Sequence, residues 1–235
     1  MEQSSAIFGL KEKKSNTCCQ NNHLLIQFIH SSLMDSFDLL PDASLTLEKG
    51  EFSQKFIELG VSSFGEACRY VHHLEYGYNS DKDNKWILFK ELKGSCTTKH
   101  AVIATLAQEL GIPLHKHVGV YKFTEDICEG ANKITKKYSI PFVPMVHCFL
   151  VYKKHRFDLT EGNFNGKKTS IEEFIHEQEV IPFITRLDEY NLYKDVVDKF
   201  VLHSVEMKGI IKHTILKARE EAIILLHKNI EKKTC

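Results

Sequence analysis

Two apolar runs, Val143 to Tyr152 and His155 to Thr160, are separated only by Lys153-Lys154. A link that short joins two strands as a hairpin, so the chain must contain antiparallel sheet. With a two-residue loop Tyr152 pairs with His155, and continuing the register sets His147 opposite Thr160. His147 and Asp158 then become diagonal neighbours on one face, roughly 7–8 Å apart in backbone and within reach of each other's side chains. A slip of one residue would send them to opposite faces. The expected register thus places an imidazole beside a carboxylate that can fix its tautomer and stabilise its protonated form.

Upstream, Lys93-Gly94-Ser95-Cys96-Thr97-Thr98-Lys99-His100 puts a cysteine at the mouth of an expected helix. Gly94 reads as the turn and Ser95 as the N-cap. Ala101, Val102, Ile103, Leu106 and Leu110 are apolar at helical spacing, and Gly111 with Pro113 stops the run. A thiol in the first turn feels the unpaired N–H groups and the positive end of the helix dipole, which favour its thiolate. Cys96 is the expected nucleophile. His147 follows it by 51 residues (147 − 96) and Asp158 follows His147 by 11 (158 − 147), an order that suits nucleophile, base and orienter. His100 lies one turn along from Cys96 on the same helix face and competes as the base; His147 is preferred because it has a carboxylate at hand.

The rest of the chain frames these pieces. Residues 1 to about 20, with Cys18-Cys19, read as a tail, and His23 to Leu40 as a short packed helix. Phe52, Phe56 and Leu59 follow helical spacing up to Gly60, and Ser63 with Glu66 forms a capping box for a helix running toward Gly77. Leu114 to Phe123 reads as a strand. Asp126 to Ser139 reads as a charged, loop-like or loosely helical excursion long enough to serve as a lid. Ser170 and Glu173 suggest a second capping box before a short helix to about Glu177. From Asp188 onward a helical stripe carries Tyr193, Val197, Phe200, Met207, Ile211, Ala218, Ala222 and Leu226, as one helix or two. The expectation is an α+β chain in three parts: an N-terminal tail and helix (1–50), a central domain (51–185) and a C-terminal helical extension packed on it (186–235).

Three segments together, Gly-Ser-Cys96-Thr-Thr-Lys-His, Val143-Pro144-Met145-Val146-His147-Cys148-Phe149 and Arg156-Phe157-Asp158-Leu159-Thr160, resemble the transglutaminase-like cysteine superfamily. The pattern is similar to that of microbial members carrying Tyr-Gly-x-Asn upstream, here Tyr76-Gly77-Tyr78-Asn79, and it covers roughly residues 64 to 165. The resemblance implies a papain-like α+β core with the cysteine helix packed on a small antiparallel sheet. It implies Cys96 as thiolate nucleophile, His147 as general base and later acid, and Asp158 as the residue that orients His147. The Cys96 backbone N–H would be one oxyanion donor, with Asn79 or Trp86 as candidates for another. In transglutaminases proper a Trp directly follows the cysteine, where Thr97 stands here, and another lies two residues after the histidine, where Phe149 stands. The implied chemistry is therefore thiol-dependent hydrolysis or acyl transfer on an amide or peptide bond, not glutamine–lysine crosslinking, with no metal or organic cofactor. A catalytically silent domain that binds protein is the alternative.

Charge and cysteine usage bound the setting. Lys+Arg and Asp+Glu number 31 each, so no polyanion partner is implied, and Lys136-Lys137 and Lys167-Lys168 read as solvated loop charges. Neither a nucleic acid nor a membrane is an expected partner; the expected partner is a protein, peptide or amide substrate. Seven cysteines without framework spacing suggest a reducing, cytoplasmic setting, with export by a route using no N-terminal signal left open. His115 and His117, on one face of a strand, together with Cys128 or Cys148, form a competing zinc-ligand set without paired Cys-x-x-Cys support.

Overall fold

The computed structural model describes residues 37–41 and 43–232. The expected tail, Cys18-Cys19 and most of the helix expected between His23 and Leu40 lie outside them. Within them the chain is α+β, with helices packed against a small antiparallel sheet.

The helices come first. α1 (Glu51–Glu58) ends near Gly60, whose φ of 79° is left-handed. α2 (Phe64–His73) is capped by the Ser63 side chain, which accepts from the Glu66 N–H. The Glu66 carboxylate accepts from the Ser63 backbone and also from the Ser62 N–H and hydroxyl, so the expected box forms and reaches one residue further upstream. α2 stops at His73, short of Gly77, because Glu75–Tyr76 (β1) is drawn into a parallel pairing with Lys93–Gly94 (β2). Between them the apolar piece around Trp86 forms α3 (Ile87–Glu91).

α4 (Cys96–Leu110) has the expected bounds and closes on Gly111 at φ 72°. Gly94 works differently from the turn expected of it. A Cβ there would stand 2.4 Å from Leu88 Cδ1 and 2.7 Å from Thr98 Oγ1, so the residue is bare to let β2 lie against α3 and α4.

The sheet has the order β5-β4-β3-β6. β3 (Leu114–Phe123) pairs with β4 (Val143–Tyr152) from Leu114 opposite Tyr152 to Phe123 opposite Val143. β4 turns through Lys153 (φ 56°) into β5 (His155–Phe157), and Tyr152 faces His155, the expected register. β5 is shorter than expected, ending at Phe157.

The capping box and helix expected from Ser170 to Glu177 do not form. His176–Val180 is instead β6, antiparallel to β3 from Lys116 opposite Val180 to Val120 opposite His176. The free edge of β3 needs hydrogen-bond partners, and the local helix signal yields to it. The Ile175 N–H already donates to the Val120 carbonyl at 2.7 Å, and the Phe174 ring fills the space above Gly119.

The excursion expected to be a lid is a packed helix, α5 (Ala131–Tyr138). The Glu125 carboxylate accepts from the Gly130 and Asn132 N–H groups at its start, and Ala131 and Ile134 are buried. The C-terminal stripe divides into α6 (Arg186–Val196), one wider turn (Val197–Val201), a short 3-10 turn (Val205–Met207) and α7 (Lys212–Glu231). Lys137 and Tyr138 both bond Glu221, tying α5 to α7.

Two cores result. Phe52, Phe56, Phe64, Val71, Val102 and Leu106 meet Leu114, Leu150 and Phe157 in one. Phe123, Ile134, Tyr193, Val197, Ile215 and Ala222 meet Val120 and Met145 in the other. Between them a small cluster joins Cys96 to Val118 and Cys148. Among the described residues no helix is long and apolar enough to cross a membrane.

Candidate active site

Cys96 is the first residue of α4 and is 9% exposed. Ser95 occupies the cap position without a side-chain cap bond, which leaves the first-turn N–H groups to favour an anion at the sulfur. The Cys148 thiol hydrogen-bonds that sulfur, and the His147 charge, a bond to the His147 ring and the Lys167 ammonium add to this. Together they hold the Cys96 thiol well below the usual range against the opposing effect of burial. Cys148 moves the other way, pushed well up by its bond to Cys96 and by burial. Its sulfur also points at Thr97 Oγ1, 3.7 Å away.

His147, on β4, bonds Asp158 through Nε2 to Oδ2 at 2.6 Å. Nδ1 is therefore the nitrogen left on the sulfur side. Burial and Lys167 push the imidazole toward its neutral form, but Asp158, the Cys96 thiolate and the bond to Asp158 outweigh them and raise it to about 9. At neutral pH the favoured state is a thiolate beside an imidazolium. Asp158 lies just past the end of β5, held by a turn: the N–H and hydroxyl of Thr160 donate to its Oδ1 at 2.8 and 2.7 Å. Burial would raise its carboxyl, yet the His147 charge and hydrogen bond, with further coulombic help from His100 and Lys167, keep it well below the ordinary carboxylate range.

His100, the competing base, is on the other side of Asp158. Its Nδ1 lies 2.7 Å from the Cys96 carbonyl, and its Nε2 accepts the Leu159 N–H at 2.8 Å. That pattern needs the proton on Nδ1 and a lone pair on Nε2, so the ring is neutral. Burial lowers it to about 4, against Asp158 and Cys96. With both nitrogens committed, His100 ties α4 to the Asp158 loop and has none left for proton transfer at the sulfur. Lys99 beside it is also buried and donates to the His72 and Leu74 carbonyls, an end of α2 that Asn163 also binds. Burial lowers its ammonium to about 7.

Of the oxyanion candidates beyond the Cys96 N–H, Asn79 has its amide committed elsewhere. The Asn79 amide donates to Glu91 and to the Lys93 carbonyl, while its oxygen accepts from Thr98. Asn79 thus braces β2 and the start of α4. Trp86 stacks on Phe52 at 4.7 Å and lines a surface cleft of about 430 Å³ with Glu51, Lys55 and Phe89. The competing zinc set does not assemble among the described residues: His115 pairs with Glu179 at 2.8 Å, and His117 lies against Phe149.

Lys167 has the sequence context of a solvated loop charge, yet its ammonium stands 3.5 Å from His147 Nδ1. Nothing in a local window distinguishes such a lysine from any other in a turn-rich loop. Thr160 and Cys148 stand within the motifs already singled out, but only the fold assigns their contacts. Compared with protein-family models, curated proteins and solved structures, the chain matches none of them.

Proposed function

We propose that the chain is a thiol-dependent hydrolase or acyltransferase of transglutaminase-like, papain-like type, acting on an amide or peptide bond in a cytoplasmic setting. The observation that carries this reading is the 2.6 Å His147–Asp158 bond on the same site as a cysteine in the first turn of α4 whose thiolate is favoured. The Cys96 thiolate attacks the carbonyl, and the Cys96 N–H receives the developing oxyanion. The His147 proton passes to the departing amine, leaving a thioester on Cys96 and a neutral imidazole. That imidazole, held in one tautomer by Asp158, takes a proton from water or an acceptor amine as it attacks the thioester.

The test is the pH dependence of Cys96 alkylation by iodoacetamide, followed by peptide mapping. Fast labelling at pH 6–7, well below the ordinary thiol pKa of about 8.5, is the expected result. Labelling no faster than that of Cys68 or Cys128 would sink the reading and favour a silent, protein-binding domain.

A further inference from the structure

Lys167 reaches the site by construction. The Asn165 amide donates to the Thr160 carbonyl, and the Asn165 side-chain oxygen accepts the Lys167 N–H. Gly166, at φ +80°, lies so close to α7 that a Cβ would meet the Leu226 carbonyl at 3.1 Å, and the Gly166 carbonyl accepts from the Cys128 thiol. One residue on, the Lys168 N–H donates to the Ile127 carbonyl. A loop pinned on both sides of one side chain holds that side chain in place. Here it holds an ammonium beside the ring nitrogen that faces the sulfur.

Among the described residues no carboxylate lies within ion-pair distance of Lys167. The acids near the site are engaged elsewhere. Asp158 is bonded to His147 and Thr160, and Glu161 is bonded to Ser170. Cys96 and His147 are buried, whereas Lys167 is half-exposed and open to an incoming molecule. Before reaction the Cys96 thiolate balances its charge. Once the sulfur is acylated and His147 has given up its proton, the thiolate charge is gone and Lys167 is the positive charge left facing the acyl group.

We infer that Lys167 is a specificity-determining residue, and that the site takes acyl substrates carrying a carboxylate close to the reacting carbonyl. The inference rests on the thiol chemistry proposed above and adds the class of substrate. A carboxylate at that place replaces the lost thiolate charge as the partner of the ammonium, in a site where low dielectric strengthens the pairing. A neutral acyl group leaves the ammonium only the more distant charge of Asp158.

Two alkylating agents of near-equal size, iodoacetate and iodoacetamide, differ in that carboxylate and test the inference without a known substrate. The measured quantity is the ratio of their second-order rates at Cys96 near pH 7, on the full chain. Lys167→Met is expected to lower the iodoacetate-to-iodoacetamide ratio about tenfold, the scale of one partly screened charge at close range. Lys167→Arg should restore it, and Lys168→Met, one residue away, should leave it unchanged. A ratio unmoved by Lys167→Met, with iodoacetamide still fast, overturns this inference alone. Slow iodoacetamide labelling of the unsubstituted protein overturns the thiol-chemistry reading and this inference with it. Matching melting curves for the variants exclude a loss of fold as the cause of any change.

Discussion

On the sheet side of Asp158 an imidazole is bonded to the carboxylate and raised to about 9; on the helix side another, with its ring centre 6.4 Å from the first, is lowered to about 4. Both rings are buried, and both stand by the same negative charge. What separates them is the second nitrogen. His147 bonds Asp158 with Nε2 and keeps Nδ1 toward a thiolate, so a proton on the ring meets anions at both ends. His100 spends both nitrogens on backbone groups, one as donor and one as acceptor, and a second proton would break the bond to Leu159. Burial sets a common penalty for the charged form, and the hydrogen-bond partners decide which ring overcomes it.

The opposite shifts predict opposite effects of pH on stability, and this is the largest expected effect. His100 is depressed from 6.5 to about 4, so the unfolded chain binds the proton more readily. Its contribution is complete above pH 6.5 and is lost as pH falls toward 4, by about 3 kcal/mol. His147 is raised from 6.5 to about 9, so its contribution is complete below pH 6.5 and is lost as pH rises through 9. Above pH 6.5 the His147 slope is opposed by Cys96, held below its ordinary range, and by Lys99, lowered to about 7. Urea unfolding across pH 4–9 should therefore show its pH dependence chiefly as an acid limb below 6.5, which His100→Gln flattens. An acid limb unchanged in that variant breaks the contrast.

Kinetics should separate the two rings as well. His147→Ala is expected to slow iodoacetamide labelling of Cys96 at pH 7 roughly tenfold, as the thiolate loses its charged partner while the Cys148 bond remains. His100→Gln should leave that rate within about threefold in protein that remains folded. Equal losses in the two variants would mean that both rings act on the sulfur. The smallest effect belongs to Thr160→Val, which removes the hydroxyl bond to Asp158 but keeps the backbone one. A loss of about 1 kcal/mol in urea unfolding is expected, with little change in labelling rate.

The hairpin was readable because a two-residue loop leaves one register in which Tyr152 meets His155, and α4 because its cap residue, apolar spacing and terminal glycine agree. Parity put His147 and Asp158 on one side, but the ladder stops at Phe157, and a turn to Thr160 carries the carboxylate the rest of the way. β6 was hidden because a local helix signal at Ser170 competes with a strand edge that is distant in sequence. Asn79 and Trp86 stand near the cysteine in sequence, but their partners are fixed by packing that no spacing rule contains. Lys167 is the clearest case: its placement depends on Thr160, Ile127 and α7, none of which a local window brings together.

β3 is hydrogen-bonded along both edges, to β4 after the connection that carries α5 and to β6 only after β4, β5 and the long loop that carries Lys167. Ordering a loop costs entropy that grows with its length, and the more distant pairing forms more slowly. During refolding the two edges should therefore close at different times. Cys96, His147 and Asp158 depend on α4 and the first edge, whereas the position of Lys167 also needs α7, which follows β6 in the chain. A refolding chain sampled by pulsed alkylation should regain its fast cysteine first and its preference for the anionic reagent later, so the order of assembly becomes readable as a change in selectivity over time.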